Sequence, residues 1–444
     1  MSKNIDDIAL ERRHLMKSGG VALGLIGMAT AATVNASTAS PSTSTQSTLF
    51  NVLDFGAEPV EDPSNMSAGF DSTDAFKAAI AAASNAITSP LWNSHNGGVV
   101  YIPRGTYKIS ETLLIQTSNI QIVGEGKAVS TLYGYGVDGA IVAFNSSYED
   151  PQLQNCSIQG VAFYGSSVPV AADYCVVMKN VTKSTVRDVT FASKVNVAAL
   201  LVENSWVNNF FDLHFIGHSP TAHLYINRPL GCASSNALNF YGCNFTAGQT
   251  EVGVLIESNS PGSTVGEGLN FNGATFQGFN KAFFARHGEC INITSYYGED
   301  NETDIQLGDN TSGAAFVRNI SITSWRCLRG KNGLVLEQCR EVNVGSGYAK
   351  YVDNPIVIGE GTGVSIMSGR NMTDYVKYAP NARKRTGVMV FDGDRHDSPD
   401  WPAVPTPMGI VMKTDSSTKG KHFKITVDDQ GNLKTTEVSF ENQS

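Results

Sequence analysis

Residues 238–245 read Leu238-Asn239-Phe240-Tyr241-Gly242-Cys243-Asn244-Phe245, and residues 269–276 repeat the phrase as Leu269-Asn270-Phe271-Asn272-Gly273-Ala274-Thr275-Phe276. Each copy is two short runs of alternating apolar and polar residues around a glycine bend, which is the period of paired strands. The apolar–Asn–apolar core returns as Ile291-Asn292-Ile293 and Val342-Asn343-Val344. A third, largely apolar run precedes each copy: Val176-Val177-Met178, Leu200-Leu201-Val202, Leu224-Tyr225-Ile226, Val254-Leu255-Ile256, Phe283-Phe284-Ala285, Ile305-Gln306-Leu307, Leu334-Val335-Leu336 and Ile356-Val357-Ile358. Aligned on these runs, the centre of the second strand forms one column of small polar residues: Thr185, Asn209, Asn239, Asn270, Asn292, Ser321, Asn343 and Ser365.

The spacing of that column separates the candidate architectures. From first strand to column the step is 9, 9, 15, 16, 9, 16, 9 and 9 residues, and from column to next first strand 15, 15, 15, 13, 13, 13 and 13. All large insertions fall at one corner, in coils three, four and six. Helical repeats would need apolar stripes of period 3.6, which are absent. The grammar predicts an all-β protein, a right-handed parallel β-helix with three strands per coil. Asn amides would stack about 4.8 Å apart as a ladder, and no coil would be stable alone.

Composition agrees. The 444 residues are 41% hydrophobic, enough for a large core, and only 16% charged. A net charge of −9 disfavours nucleic acid as a partner. Beyond the first 36 residues no apolar run reaches 18 residues, so no integral membrane segment is expected after that point. The seven cysteines form no Cys-x-x-Cys pair, and most read as small buried core residues rather than zinc ligands. No cofactor and no metal is expected. His214, His218 and His223 are spaced so that they do not converge on an ion.

The ends read separately. Residues 1–36 carry Arg12-Arg13 and Lys17, a weakly apolar stretch and a small-residue cleavage pattern ending at Ala36; they resemble a twin-arginine export signal. Residues 37–48 are a Ser/Thr/Pro linker, residues 49–375 the β-helix, and residues 376–444 a small C-terminal β module with strands at 408–412, 422–427 and 433–438 around a turn at Asp429–Asn432. Asp392, Asp394 and Asp397 do not have EF-hand spacing and read as a solvated loop. Ser72 or Thr73 is expected to cap a helix whose Phe76, Ile80, Ala83 and Ile87 close the open end of the first coil.

Several motifs in residues 50–133 carry a family resemblance. They are Phe50-Asn51-Val52-Leu53-Asp54-Phe55-Gly56-Ala57, Asp71-Ser72-Thr73-Asp74-Ala75-Phe76, Gly97-Gly98-Val99-Val100-Tyr101-Ile102-Pro103-Arg104-Gly105-Thr106-Tyr107 and Ile122-Val123-Gly124-Glu125-Gly126. This region resembles the N-terminal portion of the pectate-lyase-like β-helix superfamily, which includes polygalacturonase-related proteins and many phage tailspikes. The resemblance implies a polysaccharide groove on the outward face of the first strands, flanked by the variable loops. The Asn-Thr-Asp, Asp-Asp and Gly-His-Gly motifs of the polygalacturonase branch are all missing, so no catalytic residue carries over. Gly124-x-Gly126 lacks the third glycine and following helix of a dinucleotide loop.

The candidate chemistry lies just beyond the first-strand triplets, where Lys179, Glu203, Asn227, Glu257, Arg286, Gly308 and Glu337 face outward. Coil five, with Arg286, His287 and Glu289, lies between the long loops of coils four and six. Glu203, Glu257, Arg286, His287 and Glu289 are therefore the expected catalytic group, with Arg228 and Asp309 beside it as substrate contacts. Glu203 and Glu257, two coils or roughly 9–10 Å apart, suit inverting hydrolysis; Arg286 and His287 suit β-elimination from a uronic acid. A second polar column (Thr190, His214, Asn244, Thr275, Tyr297, Arg326, Tyr348) offers Tyr297 and Arg326 as further sugar contacts. The outward centres of the first strands are apolar (Val177, Leu201, Leu255, Phe284, Val335, Val357), as if covered by loops or by partners in a homotrimer. The expectation is an exported, periplasmic or secreted enzyme that degrades or remodels an extracellular or capsular polysaccharide. A phage or prophage tailspike depolymerase and a non-catalytic glycan-binding β-helix are the alternatives.

Overall fold

Thr185, Asn209, Asn239, Asn270, Asn292, Ser321, Asn343 and Ser365 pair one after another in unbroken parallel register. The first strands do the same from Val176 through Leu200, Leu224, Val254, Phe283, Ile305 and Leu334 to Ile356. The computed structural model describes residues 48–86, 96–145, 147–165, 171–259, 265–309, 317–359, 364–367, 376–378, 389–391, 409–413, 422–427 and 432–438. The expected export signal, nearly all of the linker, and the Asp392–Asp397 run lie outside these residues. Among them, 29 strands join one continuous parallel network, wound as a right-handed β-helix with three strands per coil.

Corners repeat as faithfully as strands. Two residues before the polar column the backbone turns left-handed at Lys183 (φ 51°), Val207 (59°), Ala237 (50°), Gly268 (78°), Cys290 (55°), Asn319 (56°) and Glu341 (56°). The bend between second and third strands uses Gly160, Asp188, Asp212, Gly242, Gly273, Ser295 and Ser324, all with φ between 50° and 69°. Positive φ is costly for a branched residue such as Val207. It is held there by the strands stacked above and below. A single left-handed residue re-aims the strand without opening the ladder.

Side chains pointing inward stack in files. Phe163, Phe191, Phe215, Phe245, Phe276 and Tyr296 form one, with ring centroids 4.6–5.6 Å apart. Phe210, Phe240 and Phe271 form another at 4.4 and 4.6 Å. Outside, the Asn ladder forms as expected: Asn239 donates to Asn209 (3.0 Å), Asn270 to Asn239 (2.8 Å) and Asn292 to Asn270 (2.8 Å). All seven cysteines are free, and only Cys290 is exposed.

The capping helix, Thr73–Asn85, buries Phe76, Ile80 and Ala83 in the main core; Ile87 lies outside the described residues. Its N-terminus departs from expectation. Ser72 makes no side-chain cap, because its Oγ donates to the Glu58 carbonyl and accepts from the Glu58 amide. Asp71 serves instead, accepting from Thr73 N (3.0 Å) and Thr73 Oγ1 (2.5 Å). At the other end, strands Gly409–Lys413, His422–Val427 and Leu433–Val438 form an antiparallel sheet.

Most of the outward apolar stripe is already covered, while Val335 and Val357 are half-buried. Val177, Leu201, Tyr225, Leu255 and Phe284 are buried and form a cluster separate from the interior core, so these five need no second chain to shield them.

One inward residue is out of character. Asp304 is fully buried; its Oδ1 accepts from Tyr296 Oη (3.0 Å) and Asn301 Nδ2 (2.7 Å). A Cβ on Gly298 would sit 1.7 Å from that oxygen, so glycine makes the room the carboxyl occupies. Burial pushes the carboxyl up to about 6, against the hydrogen bonds from Asn301, Cys327 and Tyr296. Because this lies above the ordinary 3.8, the native state keeps a proton that the unfolded chain releases between about pH 4 and pH 6. Stability is therefore greatest below that window, falls as pH rises through it and is level above. The loss is about 3 kcal/mol at neutral pH. Asp304→Asn cannot ionise, so its melting temperature relative to wild type should be several degrees more favourable at pH 8 than at pH 4. A constant offset in thermal melts at both pH values would refute this.

Candidate active site on the first-strand face

The ends of the first strands bring the expected outward residues into one line. Lys179, Glu203, Asn227 and Glu257 are in register. Arg286 follows Ala285, which pairs with Ile256, and Gly308 and Glu337 follow the paired Leu307 and Leu336. Residues about thirty positions apart in sequence, such as Asn227 and Glu257 or Glu257 and Arg286, thus become neighbours on adjacent coils.

Two clusters occupy this line. In the first, Glu203 is only 5% exposed and accepts from Asn227 Nδ2 (2.7 Å) and from the Tyr148 hydroxyl. Burial, followed by this bond to Glu203, drives the Tyr148 phenol well above its ordinary value. Lys179 Nζ lies 5.3 Å from the centre of the Tyr148 ring. Arg228 turns its Nε to the Cys232 carbonyl (3.0 Å), tying down the coil-three insertion beside Glu203.

The second cluster centres on Arg286. Its Nη1 donates to Glu257 Oε2 (2.5 Å) and its Nε to Asp309 Oδ2 (2.7 Å), while the guanidinium lies over Phe284. Glu257 also accepts from the Tyr225 hydroxyl (2.5 Å). Asp309 is 6% exposed and His287 7%. The Ser258 amide donates to His287 Nδ1 (3.2 Å), which assigns the ring proton of the neutral form to Nε2. Burial lowers the His287 value, Glu257 and Asp309 raise it, and Arg286 lowers it further. Glu337 moves the other way: burial first, then the charge of Asp309, raises its carboxyl, with Lys281 opposing.

Three expected residues stand elsewhere. Glu289 lies on the following strand, Gly288–Thr294, where its Oε2 accepts from Arg318 Nη2 (2.7 Å). Tyr297 and Arg326 are on the third strands. There Arg326 stands between the rings of Tyr297 (5.8 Å) and Tyr348 (5.6 Å), which takes up one face of each ring. Of the long loops expected on either side of coil five, residues 260–264 and 310–316 lie outside the described residues. Conversely, Tyr148, Tyr225 and Glu337 belong to the clusters without having been singled out. Tyr225 was visible as the one hydroxyl-bearing residue in an apolar slot, and Glu337 stood in the outward column. Tyr148 lies in a non-repeating run and gave no signal.

Among the described residues no group of three His, Cys, Asp or Glu side chains is arranged to hold a metal, and no helix is long and apolar enough to cross a membrane. His223 is instead a core residue, pushed down to about 4 by burial and fixed by the Thr246 carbonyl (2.9 Å).

Residues 49–218 match the family described as rhamnogalacturonase A/epimerase, pectate lyase-like. The match spans less than half of the chain and is consistent with the parallel β-helix described above. Similar solved structures include ORF18 of Geobacillus virus E2 (TM-score 0.54, 17% identity, covering 88% of this chain and 76% of that one). The gp42 tailspike of Acinetobacter phage vb_AbaP_AS12 gives 0.51 at 10% identity, covering 89% and 83%. DFA-IIIase from Arthrobacter chlorophenolicus A6, without its lid and in complex with GF2, gives 0.50 at 10% identity, covering 75% and 98%. No curated protein sequence matches the chain. At these identities the likeness shows the parallel β-helix fold alone, and the chemistry has to be argued from this chain's own side chains.

The charge balance around His287 is directly measurable. Its imidazole should titrate below 6.5 in pH-dependent NMR spectra, and lower still in Glu257→Gln, which removes the larger of the two carboxylate contributions. A midpoint at or above 6.5 in the wild type would contradict the buried, neutral ring described above.

Proposed function

We propose that the protein is a polysaccharide hydrolase working outside the cytoplasm, with its substrate lying along the first-strand line. The observation that carries this reading is the Asp309–Glu337 pair. Two carboxyl groups on adjacent coils differ in their partners: Arg286 forms an ion pair with Asp309, whereas burial, then the Asp309 charge, raises the Glu337 carboxyl so that it keeps its proton to higher pH. Asp309 stands one residue beyond Gly308, the position level with Glu337, so the two carboxyls lie diagonally across neighbouring coils whose strands are about 4.8 Å apart; a retaining pair requires roughly 5–5.5 Å. Glu337 then protonates the leaving oxygen and Asp309 attacks the anomeric carbon; Glu337 afterwards takes the proton of the hydrolytic water. Arg286 and Glu257 position Asp309. Glu203, Asn227, Tyr148 and Arg228 form a polar subsite further along the same line. The Glu203 and Glu257 carboxyls remain the pair for an inverting variant of this reading, since roughly 9–10 Å leaves room for a water between them.

A lyase is the second reading, favoured by His287. A neutral imidazole beside the Arg286 cation is the arrangement that removes a proton next to a neutralised uronate carboxylate. The carbohydrate-processing neighbours, a tailspike and DFA-IIIase by their names, support a glycan as substrate. The twin-arginine-like segment supports export, and the tailspike likeness keeps a virion origin and a trimer as alternatives.

A panel of bacterial and plant polysaccharides separates these readings. Hydrolysis yields new reducing ends without absorbance near 235 nm, elimination yields both, and a binder yields neither. On a cleaved substrate Glu337→Gln and Asp309→Asn should each lower kcat at least 100-fold, and the basic limb of the pH–rate profile should follow Glu337. Full activity in both variants would remove this pair from the chemistry.

A further inference from the structure

Most coils turn from second to third strand on one left-handed residue, but the coil ahead of Gly160, Asp188 and Asp212 does not. There the chain leaves strand Gln121–Gly124 through Glu125-Gly126-Lys127-Ala128-Val129 before strand Ser130–Gly134 begins. Lys127 reaches along the axis from this longer connection, placing Nζ 2.6 Å from Asp212 Oδ2 and 3.3 Å from Asp188 Oδ1. The base of the strap is pinned, since Gly126 N donates to the Gly160 carbonyl (2.9 Å). A Cβ on Gly124 would sit 2.3 Å from that same oxygen, so only glycine lets the two backbones meet. This gives the Gly124-x-Gly126 motif a structural purpose that the first-strand site does not use.

Beside the strap lies a cleft of about 440 Å³, lined by Glu125, Gln159, Arg187, Asp188, Phe211 and Asp212. That volume is within the range of small-molecule sites. Its wall is the register line Gln159, Arg187, Phe211, Tyr241. Phe211 and Tyr241 stack at 5.1 Å with planes 11° apart, and both are 38% exposed. Tyr241 takes one face of Phe211. Among the described residues no ring or cation stacks on the other face, on the side where Arg187 stands. Arg187 is exposed, and among the described residues its guanidinium makes no ion pair or hydrogen bond. Lys127 engages Oδ1 of Asp188 and Oδ2 of Asp212, which leaves the second oxygen of each able to accept.

We propose that this cleft binds a hexuronate unit of an acidic glycan, apart from the site of cleavage. The apolar face of the pyranose packs against the solvent-exposed part of Phe211, the carboxylate forms a bidentate pair with Arg187, and ring hydroxyls donate to the free oxygens of Asp188 and Asp212. Three carboxylates line the cleft, Asp188, Asp212 and Glu125, the last held by Tyr101 and Arg104, and they disfavour a dianion such as phosphate. A monoanion whose other groups are hydroxyl donors satisfies both signs at once. The ligand class rests on the polysaccharide reading above, but the cleft shares no residue with the first-strand line.

The test titrates sodium D-galacturonate and sodium D-glucuronate into the full chain, with D-galactose and inorganic phosphate as controls. Binding is followed by saturation-transfer NMR and calorimetry. Saturable binding of one hexuronate, on the order of millimolar, is expected. Arg187→Gln and Phe211→Ala should each weaken it at least tenfold, Glu257→Gln should leave it unchanged, and galactose and phosphate should bind at least tenfold more weakly. Arg187 is at the surface, so Arg187→Gln decides the matter even if Phe211→Ala fails to fold. No saturable hexuronate binding, equal affinity in Arg187→Gln, or equal binding of galactose or phosphate would overturn the proposal. A monosaccharide has no glycosidic bond, so hexuronate binding without polysaccharide cleavage would sink the hydrolase reading alone, and cleavage without binding would sink this cleft alone.

Discussion

Parallel, in-register stacking of one coil on the next is the constraint on which every other feature of this molecule rests. Each backbone group in a coil is paired with the coil above and below, so a side chain has near-identical surroundings to its counterparts along the axis. A position that suits phenylalanine in one coil suits it in the next, which is why the interior aromatic files run through as many as six residues. The left-handed corner residues are the cost of that order. Val207 in a positive-φ conformation would be unfavourable in isolation, yet it is held by neighbours that all turn at the same place. Insertions are tolerated only where a corner can swell without shifting the ladder.

The same stacking concentrates charge. On a twisted open sheet, carboxylates separated by thirty residues have no reason to meet. Here Glu203, Glu257, Asp309 and Glu337 are delivered to one line, with Arg286 the one guanidinium bound to two of them. Burial then differentiates groups that are chemically alike. Glu337 is raised first by burial and then by the charge of Asp309, and Tyr148 and Tyr225 are kept as hydroxyl donors to the Glu203 and Glu257 carboxylates. Exposed ion pairs elsewhere, such as Lys331 with Glu302, contribute little by comparison.

The architecture was legible because it repeats. Eight copies of one phrase determine register, corner and inward face together, and all eight column positions pair as the spacing implies. Single-copy features were harder. Asp71 displaced Ser72 as the helix cap because Glu58, a residue distant in sequence, claimed the serine hydroxyl. The outward column was readable from alternation, but which of its carboxyls would hold a proton depended on burial and on Asp309. Tyr148 and Lys127 were invisible for a different reason. Each sits in a connection with no counterpart in other coils, and Lys127 meets an aspartate 85 residues away. The Tyr297–Arg326–Tyr348 column was aligned correctly, but alternation says nothing about Arg326 occupying the ring faces. That arrangement is decided by which side chains happen to be adjacent.

The asparagine file has a direction. Asn239 donates towards Asn209, Asn270 towards Asn239 and Asn292 towards Asn270, so every amide dipole points the same way along the axis. Such a row is polar, like a short wire with a donor terminal at Asn209 and an acceptor terminal at Asn292. The flanking residues in the column are Thr185 and Ser321, whose hydroxyls both donate and accept and can therefore terminate either pole. Amides propagate the orientation while hydroxyls end it, so the order in which Asn, Ser and Thr occur sets the polarity of the outer wall.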